Sequence, residues 1–442
     1  MNSRNRFATV AAAAAVWLVL VTRGAAQSND ALLDKLVQKG ILTTQEAKEL
    51  RQESDVGFTK AYQAQTGMPD WVKSVQFGGD LRLRYDELHG GNADFLTRHR
   101  LRFRLRPGFT AQLQDNFEVG VRLFSGPENG NPLNGNQTFE DNASKKPIHI
   151  DKAYAKWSPL NDEDWKLTFI AGKMETPFVF SDLLFDIDYT PEGFAQQLSC
   201  KLNPQHTVKL ILGEFVQDEL SLSSHDPYLF GAQLRFESSW SPRLKTSVGV
   251  AALALTHPEA LTAANVLDIN QGNTRSALPS PTAALIYDYN PIIVDAAISC
   301  FFTNAPGYRG VPFPVTLSAI YVNNPGAPTA HQAFAAGISF GKSGSKGLWE
   351  LSYKYRYFGA DAWYEEVVDD DFGAFYQAPS VRGTAGFRSG TNVRGHIIKA
   401  NYSFNDSFTL GIGYYLTELI HASPAGSRSD AAHLLVDAVW KF

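Results

Sequence analysis

From about Val75 to the last residue, apolar and polar side chains alternate at period two in run after run. Successive side chains of a strand point to opposite faces, so each run is a strand with one greasy face and one wet face. The stretch TRHRLRFRLRPG at 97–108 is the sharpest case. Arg98, Arg100, Arg102, Arg104 and Arg106 occupy one face; Leu101, Phe103 and Leu105 occupy the other.

Sixteen such runs can be marked: 74–86, 96–113, 116–125, 148–158, 165–174, 193–202, 206–216, 227–240, 243–256, 281–290, 292–303, 332–341, 347–358, 392–404, 407–418 and 431–442. Their connections alternate in length. Gln114-Asp115-Asn116, Asn203-Pro204-Gln205, Ser241-Pro242 and Asn405-Asp406 are short; 126–147, 257–280, 304–331 and 359–391 are long. Alternation in length puts every second connection at the same end, as in an up-and-down meander with plain turns below and elaborate loops above.

A soluble sandwich also alternates, because one face of each sheet is buried. Two features favour a membrane. The wet face is rich in charge and glycine while the other is aromatic and aliphatic throughout. Trp157, Trp165, Trp240, Trp349 and Trp440 also collect near the short turns, where indole rings sit at a headgroup boundary. Lipid requires every backbone group to be paired, which a closed barrel achieves. The expected fold is therefore all-β: a transmembrane up-and-down antiparallel β-barrel of about 16 strands over 74–442. Its final strand, LLVDAVWKF, alternates up to Trp440 and the terminal Phe442. That ending resembles the signal by which barrel-assembly machinery inserts outer-membrane barrels.

The N-terminus fits export. Arg4 and Arg6 precede the apolar run 7–21 and the small residues Gly24 and Ala26, the layout of a signal peptide over 1–26. The run is short of the roughly 20 residues a spanning helix needs. Removing Arg4, Arg6 and Arg23 takes the formal net charge from −5 to −8, which argues against a nucleic-acid partner despite the arginine row. Cys200 and Cys300, the only two cysteines, make no disulfide framework and read as small apolar residues on the outer face. Residues 27–73 form a second part. Leu32, Leu33, Leu36 and Val37 recur at helical spacing, and Thr43 with Glu46 has capping-box spacing. This is a short α-helical, periplasmic segment, packing on itself or on its copies, with a linker from 55.

The order of landmarks resembles the bacterial "putative porin" family, similar in layout to the phosphate-selective porins. The resembling segments are LLDKLVQKGILTTQEAKEL, FGGDLRLRYDEL, RHRLRFRLRPG, DKAYAKW and AGKMETPFVFSDLLFDIDYTPEGF. The resemblance implies an outer-membrane channel and a homotrimer; it fixes no solute. Separately, the sequence has no HExxH and no histidines at ligand spacing, so no enzymatic activity, metal or cofactor is expected. In large porins the third outer loop folds into the barrel. Here that loop is ETPFVFSDLLFDIDYT at 175–190. Phe178, Phe180, Leu183, Leu184 and Phe185 suit packing against a wall, and Glu175, Asp182, Asp186 and Asp188 would form an acidic constriction. A loop folded over the rim, or in a subunit contact, is the alternative.

Facing it would stand a basic wall of Arg82, Arg84, Arg98, Arg100, Arg102, Arg104, Arg122, Lys152 and Lys156. Such a pair sets a transverse field that filters small hydrophilic solutes or ions by charge; alternatively, arginine and aspartate pair and hold the loop. A second acidic group, Glu365, Glu366, Asp369, Asp370 and Asp371, reads as a solvated loop. Gly337–Ser343 is one residue short of a phosphate loop and runs into a turn, not a helix. The expected function is passive diffusion across the outer membrane. An anion- or phosphate-selective channel, and a non-conducting exported binding or anchoring barrel, are the alternatives.

Overall fold

The computed structural model describes residues 67–91, 97–267, 271–276, 280, 282–303, 305–308, 310–375, 388–421 and 428–442, with parts of 33–50. The expected signal peptide at 1–26 and most of the expected linker lie outside the described residues. Contacts divide the chain into Met1–Lys73 and Ser74–Phe442. In the first unit, residues 35–38 and 45–50 are helical. The capping box closes: Thr43 N–H donates to Glu46 Oε2 at 2.8 Å, and Glu46 N–H donates to Thr43 Oγ1 at 3.2 Å, so two donors that a helix start would leave unpaired are satisfied.

The second unit is a closed barrel of sixteen long antiparallel strands. They are β1 (Val72–Gly90), β2 (Arg98–Leu113), β3 (Phe117–Ser125), β4 (Ile148–Asn161), β5 (Trp165–Lys173), β6 (Glu192–Asn203), β7 (His206–Val216) and β8 (Tyr228–Ser241). They continue as β9 (Leu244–Leu255), β10 (Ile292–Phe302), β11 (Phe313–Asn323), β12 (Gln332–Gly341), β13 (Trp349–Phe358), β14 (Val393–Ser403), β15 (Phe408–Leu419) and β16 (Ala431–Lys441). Each strand pairs with its sequence neighbours, and β16 returns to β1 in the register Leu81↔Trp440 to Gly90↔Ala431. The closed ladder leaves no edge.

The two faces separate as the alternation predicts. Outward residues are exposed, with Phe77 at 81%, Leu101 at 56% and Leu234 at 54%, while Arg102 on the inner face is 5% exposed. Soluble proteins rarely show contiguous apolar surface on this scale; hydrocarbon accommodates it. The five tryptophans sit at the turn end of β4, β5, β8, β13 and β16, and Trp157 stacks between Phe117 at 5.5 Å and Phe169 at 5.9 Å. Cys200 and Cys300 are both free, on the non-adjacent strands β6 and β10.

The strand total of sixteen is right for partly wrong reasons. Residues 282–290, the described part of the run 281–290, are not a barrel strand. Ala283, Leu285 and Tyr289 are buried at 0–3%, and only isolated bridges, Arg275↔Leu285 and Leu255↔Tyr289, form there. Their alternation reflects packing within a loop core. The missing strand is β11. Its inner face carries Thr316 and Ser318 but no charge, and at the loop end Ile320 and Val322, buried at 3% and 0% against the inward loops, so it lacks the charged face that marks most of the others. In consequence β10 runs from the loop end toward the turn end, and β11 breaks the span 304–331, which is therefore not one long loop.

The seam is tight. Gly79 N–H donates to Phe442 O at 2.9 Å, and Phe442 N–H donates back at 3.1 Å. A Cβ on Gly79 would lie 2.3 Å from Arg106 O and 2.9 Å from the Phe442 ring. Gly79→Val is therefore expected to cost roughly 1–3 kcal/mol through overpacking. The measurement is the temperature at which the compact barrel loses its gel mobility in detergent; an unmoved midpoint would show that the seam has slack.

Candidate functional site: a lumen bridged by two loops

The third outer loop, 174–191, runs into the lumen and touches three parts of the wall. Phe178 docks at β7 and β8, where Gly231 leaves its slot: a Cβ there would lie 2.3 Å from the ring. Val179 N–H donates to Gln233 Oε1 at 2.9 Å, and Val179 O accepts from Arg235 at 2.8 Å. Three residues on, Asp182 pairs with Lys354 and Arg356 of β13. Asp188 then pairs with Arg104 at 2.9 Å and Arg106 at 3.0 Å on β2. Leu183, Leu184 and Phe185 are buried at 1%, 0% and 5%; their burial holds the loop inside, as the apolar run in its sequence predicts.

The seventh outer loop also folds inward, which its acidic sequence does not suggest. Residues Glu365, Glu366, Asp369, Asp370 and Asp371 are not a solvated group. Glu365 is fully buried and pairs with Arg275 at 2.7 Å. Asp369 meets Arg356 at 2.6 Å, and Asp371 meets Arg84 at 3.1 Å. Trp363, Val367 and Phe372 are 1–3% exposed, and the Phe372 ring lies 5.0 Å from the Arg356 guanidinium. The physical reason is charge matching. A buried carboxylate is tolerated where a guanidinium of the wall faces it, and the apolar residues between the acids give the loop a reason to leave water.

The two inward loops join at Asp186. Its N–H donates to Val367 O at 2.9 Å. Its carboxylate oxygens accept from Asp188 N–H at 2.6 Å and Asp370 N–H at 3.3 Å. Oxygens of Asp186, Asp369 and Asp370 lie within 4.8 Å of one another. Burial, then the neighbouring Asp370, Asp369 and Asp188, hold the Asp186 carboxyl well above the usual range. Burial also pushes Asp182 and Asp371 up, but the adjoining cations more than offset it. Arg356 and Lys354 hold Asp182 well below the usual range, and Arg84 with His433 does the same for Asp371.

Most of the arginine row is covered. Arg82, Arg84, Arg102 and Arg104 are only 5–6% exposed. Arg82 donates to Asn136 Oδ1 of the second outer loop at 2.8 Å. Arg84 also meets Asp437 at 2.7 Å. Arg100 and Arg102 share Asp86 at 2.7 and 3.0 Å, and Arg104 and Arg106 share Asp80 at 3.1 and 2.8 Å. Arg98 is exposed at the start of β2. Lys156 pairs with Glu118 at 2.7 Å. Arg122 pairs with Asp151 and, at 3.3 Å, with Glu175, which also meets Lys152 at 2.7 Å. The Glu175 side chain is 67% exposed, so this last group reaches solvent, as do Arg98 at the strand start and, in part, Lys156.

Sequence reasoning missed Arg356, which ties both loops to β13, and Asp80, Asp86 and Asp437, which neutralise the arginines from their own wall. The signal for these acids was present, since they share the inward parity of the arginines. Trp440 and Phe442 lie at the closing seam; Trp440 stacks on Phe408 at 4.8 Å.

A Pseudomonas putida OprB structure is similar over 88% of this chain and 97% of its own, with a TM-score of 0.52 and 13% identity, a likeness of fold. A loop-deletion mutant of OmpT from Vibrio cholerae aligns over 84% of this chain and 99% of its own, with a TM-score of 0.46 and 12% identity. No curated protein matches significantly in sequence. Residues 92–277 match the family model described as "putative porin", the family whose segments this sequence resembles.

Proposed function

We propose that this protein is an outer-membrane porin that passes small hydrophilic solutes or ions passively across the bacterial outer membrane. The observation that carries the reading is the third loop, which reaches β8, β13 and β2 across one lumen. The constriction in this reading has two parts, that loop and the seventh, joined at Asp186. The short turns face the periplasm and the long loops face outward. In keeping with the resemblance, the chain works as a homotrimer after signal-peptide export and insertion through its final strand, with Trp440 and Phe442 as the signal.

Charge selection in this reading belongs to the solvent-reaching group Arg122, Lys152 and Glu175, with Arg106 beside it, rather than to the whole arginine row. Arg82, Arg84, Arg102 and Arg104 act as struts for the loops. The test is single-channel recording in planar bilayers with reversal potentials in a salt gradient. Folded protein is expected to add discrete conductance steps. Arg122→Ala and Lys152→Ala are expected to move the reversal potential toward cation preference, because each leaves Glu175 less compensated. Arg102→Ala is expected to leave it in place and to lower heat resistance instead, since Asp86 loses a buried partner. A potential unmoved by Arg122→Ala and Lys152→Ala would remove the selective role.

One observation favours a second reading, a barrel plugged for binding rather than conduction. Leu183, Leu184, Trp363 and Phe372 form a dry core inside the wall. Folded protein that adds no conductance steps would favour that alternative.

A further inference from the structure

At the loop end, segments of the second, third, fourth, fifth and seventh outer loops line an open cavity of about 390 Å³. That volume is within the range that holds small ligands. Its apolar surface includes Tyr189, Leu261, Tyr364 and Val367, and the last three are buried at 2–4%. Its charged lining is one-sided. Glu192, Asp218, Glu219, Glu366 and Asp370 contribute five carboxylates, against the single ammonium of Lys173. Lys173 Nζ is already engaged, 2.9 Å from Glu192 Oε1 and 3.0 Å from Thr190 O. Among the described residues no arginine lines the cavity, whereas the inward loops deeper in the barrel meet arginine at Asp182, Asp188, Asp369 and Asp371.

We propose that this cavity binds small organic ammonium compounds that carry an apolar or aromatic body. The carboxylates draw the cation and disfavour anions. Tyr189, stacked on Phe185 at 5.6 Å, lines the cavity with a ring whose quadrupole attracts an alkylammonium group. The apolar lining removes the rest of the ligand from water. Burial, with Asp226 beside it, raises the Asp218 carboxyl above its ordinary range; a bound cation relieves that repulsion. As a solute site at the mouth of a channel, the proposal rests on the porin reading.

The test is calorimetric titration of the purified full chain in detergent, which needs no conduction. Three probes share one body: 2-phenylethylammonium, 2-phenylethanol and 3-phenylpropionate. Saturable binding of the ammonium is expected, with the alcohol weaker by about tenfold and the carboxylate weaker still. Asp218→Asn combined with Glu219→Gln is expected to weaken ammonium binding by about tenfold, while Glu163→Gln in the turn after β4 leaves it unchanged. Gel mobility confirms that each variant is a folded barrel; should the double variant not fold, Glu219→Gln at its exposed position is expected to weaken binding by about threefold.

Equal affinity for alcohol and ammonium, full affinity in the folded variants, or no saturable binding would each overturn the proposal. A wild type that conducts but does not bind removes this site alone. One that binds but never conducts removes the channel and keeps the site.

Discussion

Arg356→Ala is expected to release both inward loops at once and to raise single-channel conductance. Arg356 is 1% exposed on β13 and holds Asp182 of the third loop and Asp369 of the seventh. Truncation leaves Asp369 without its guanidinium and Asp182 with Lys354 alone, a loss of up to roughly 3–5 kcal/mol for a broken buried pair. The barrel itself is held by its backbone ladder, so the loss falls on the loops. Conductance is expected to rise about twofold or more, with noisier open levels, because the lumen is widened where loops had crossed it. Heat resistance of the barrel should move little. Arg356→Lys keeps the charge but not the planar fork, and an intermediate conductance is expected. A conductance equal to wild type in the alanine variant would show that the loops do not limit the pore through this residue.

Asp186→Asn is expected to abolish a pH response of the same loops. The carboxyl of Asp186 lies well above its ordinary value because of burial and then of Asp370, Asp369 and Asp188. A raised carboxyl contributes stability that is fully present below its unfolded value and is lost as pH rises through the folded one. The junction between the loops is therefore tightest in acid and loosens on the alkaline side, where a second and third carboxylate repel the newly charged one. Asp182 and Asp371 work in the opposite sense. Cations override burial and hold both below the ordinary range, so their ion pairs are present above that range and fail only as pH falls through the lowered values.

Between these limits the wild-type current is expected to grow larger and noisier as pH rises. The asparagine variant mimics the neutral acid and should give a flat profile. The check is single-channel recording across the same pH series for both proteins; parallel responses would place the titrating group elsewhere.

Much of the fold was legible because period-two alternation is a local property. Arg102 and Leu101 declare their faces by parity alone, and the tryptophans at the strand ends mark the turn side. The failures are informative for the same reason. In β11, Ile320 and Val322 face inward, yet they are apolar because loops cover them. At 281–290 the alternation is real, but Leu285 and Tyr289 pack into a loop core rather than toward a barrel axis. Parity reports two environments and does not name them.

The third loop was readable from Phe178, Phe180, Leu183, Leu184 and Phe185, since five large apolar residues would not be left in water between acids. The seventh loop was misread because its five acids outweighed Trp363, Val367 and Phe372 in any local count. By itself the sequence determined the barrel and its greasy and wet faces, because those follow from neighbours along the chain, and it favoured an inward third loop over one folded across the rim. Only the tertiary structure decided which acid meets which arginine. Arg104 finds Asp188 at a separation of 84 residues, and Arg84 finds Asp371 at 287. A buried charge is stabilised by whatever partner the closed fold brings to it, and that partner is set by barrel closure rather than by spacing in sequence.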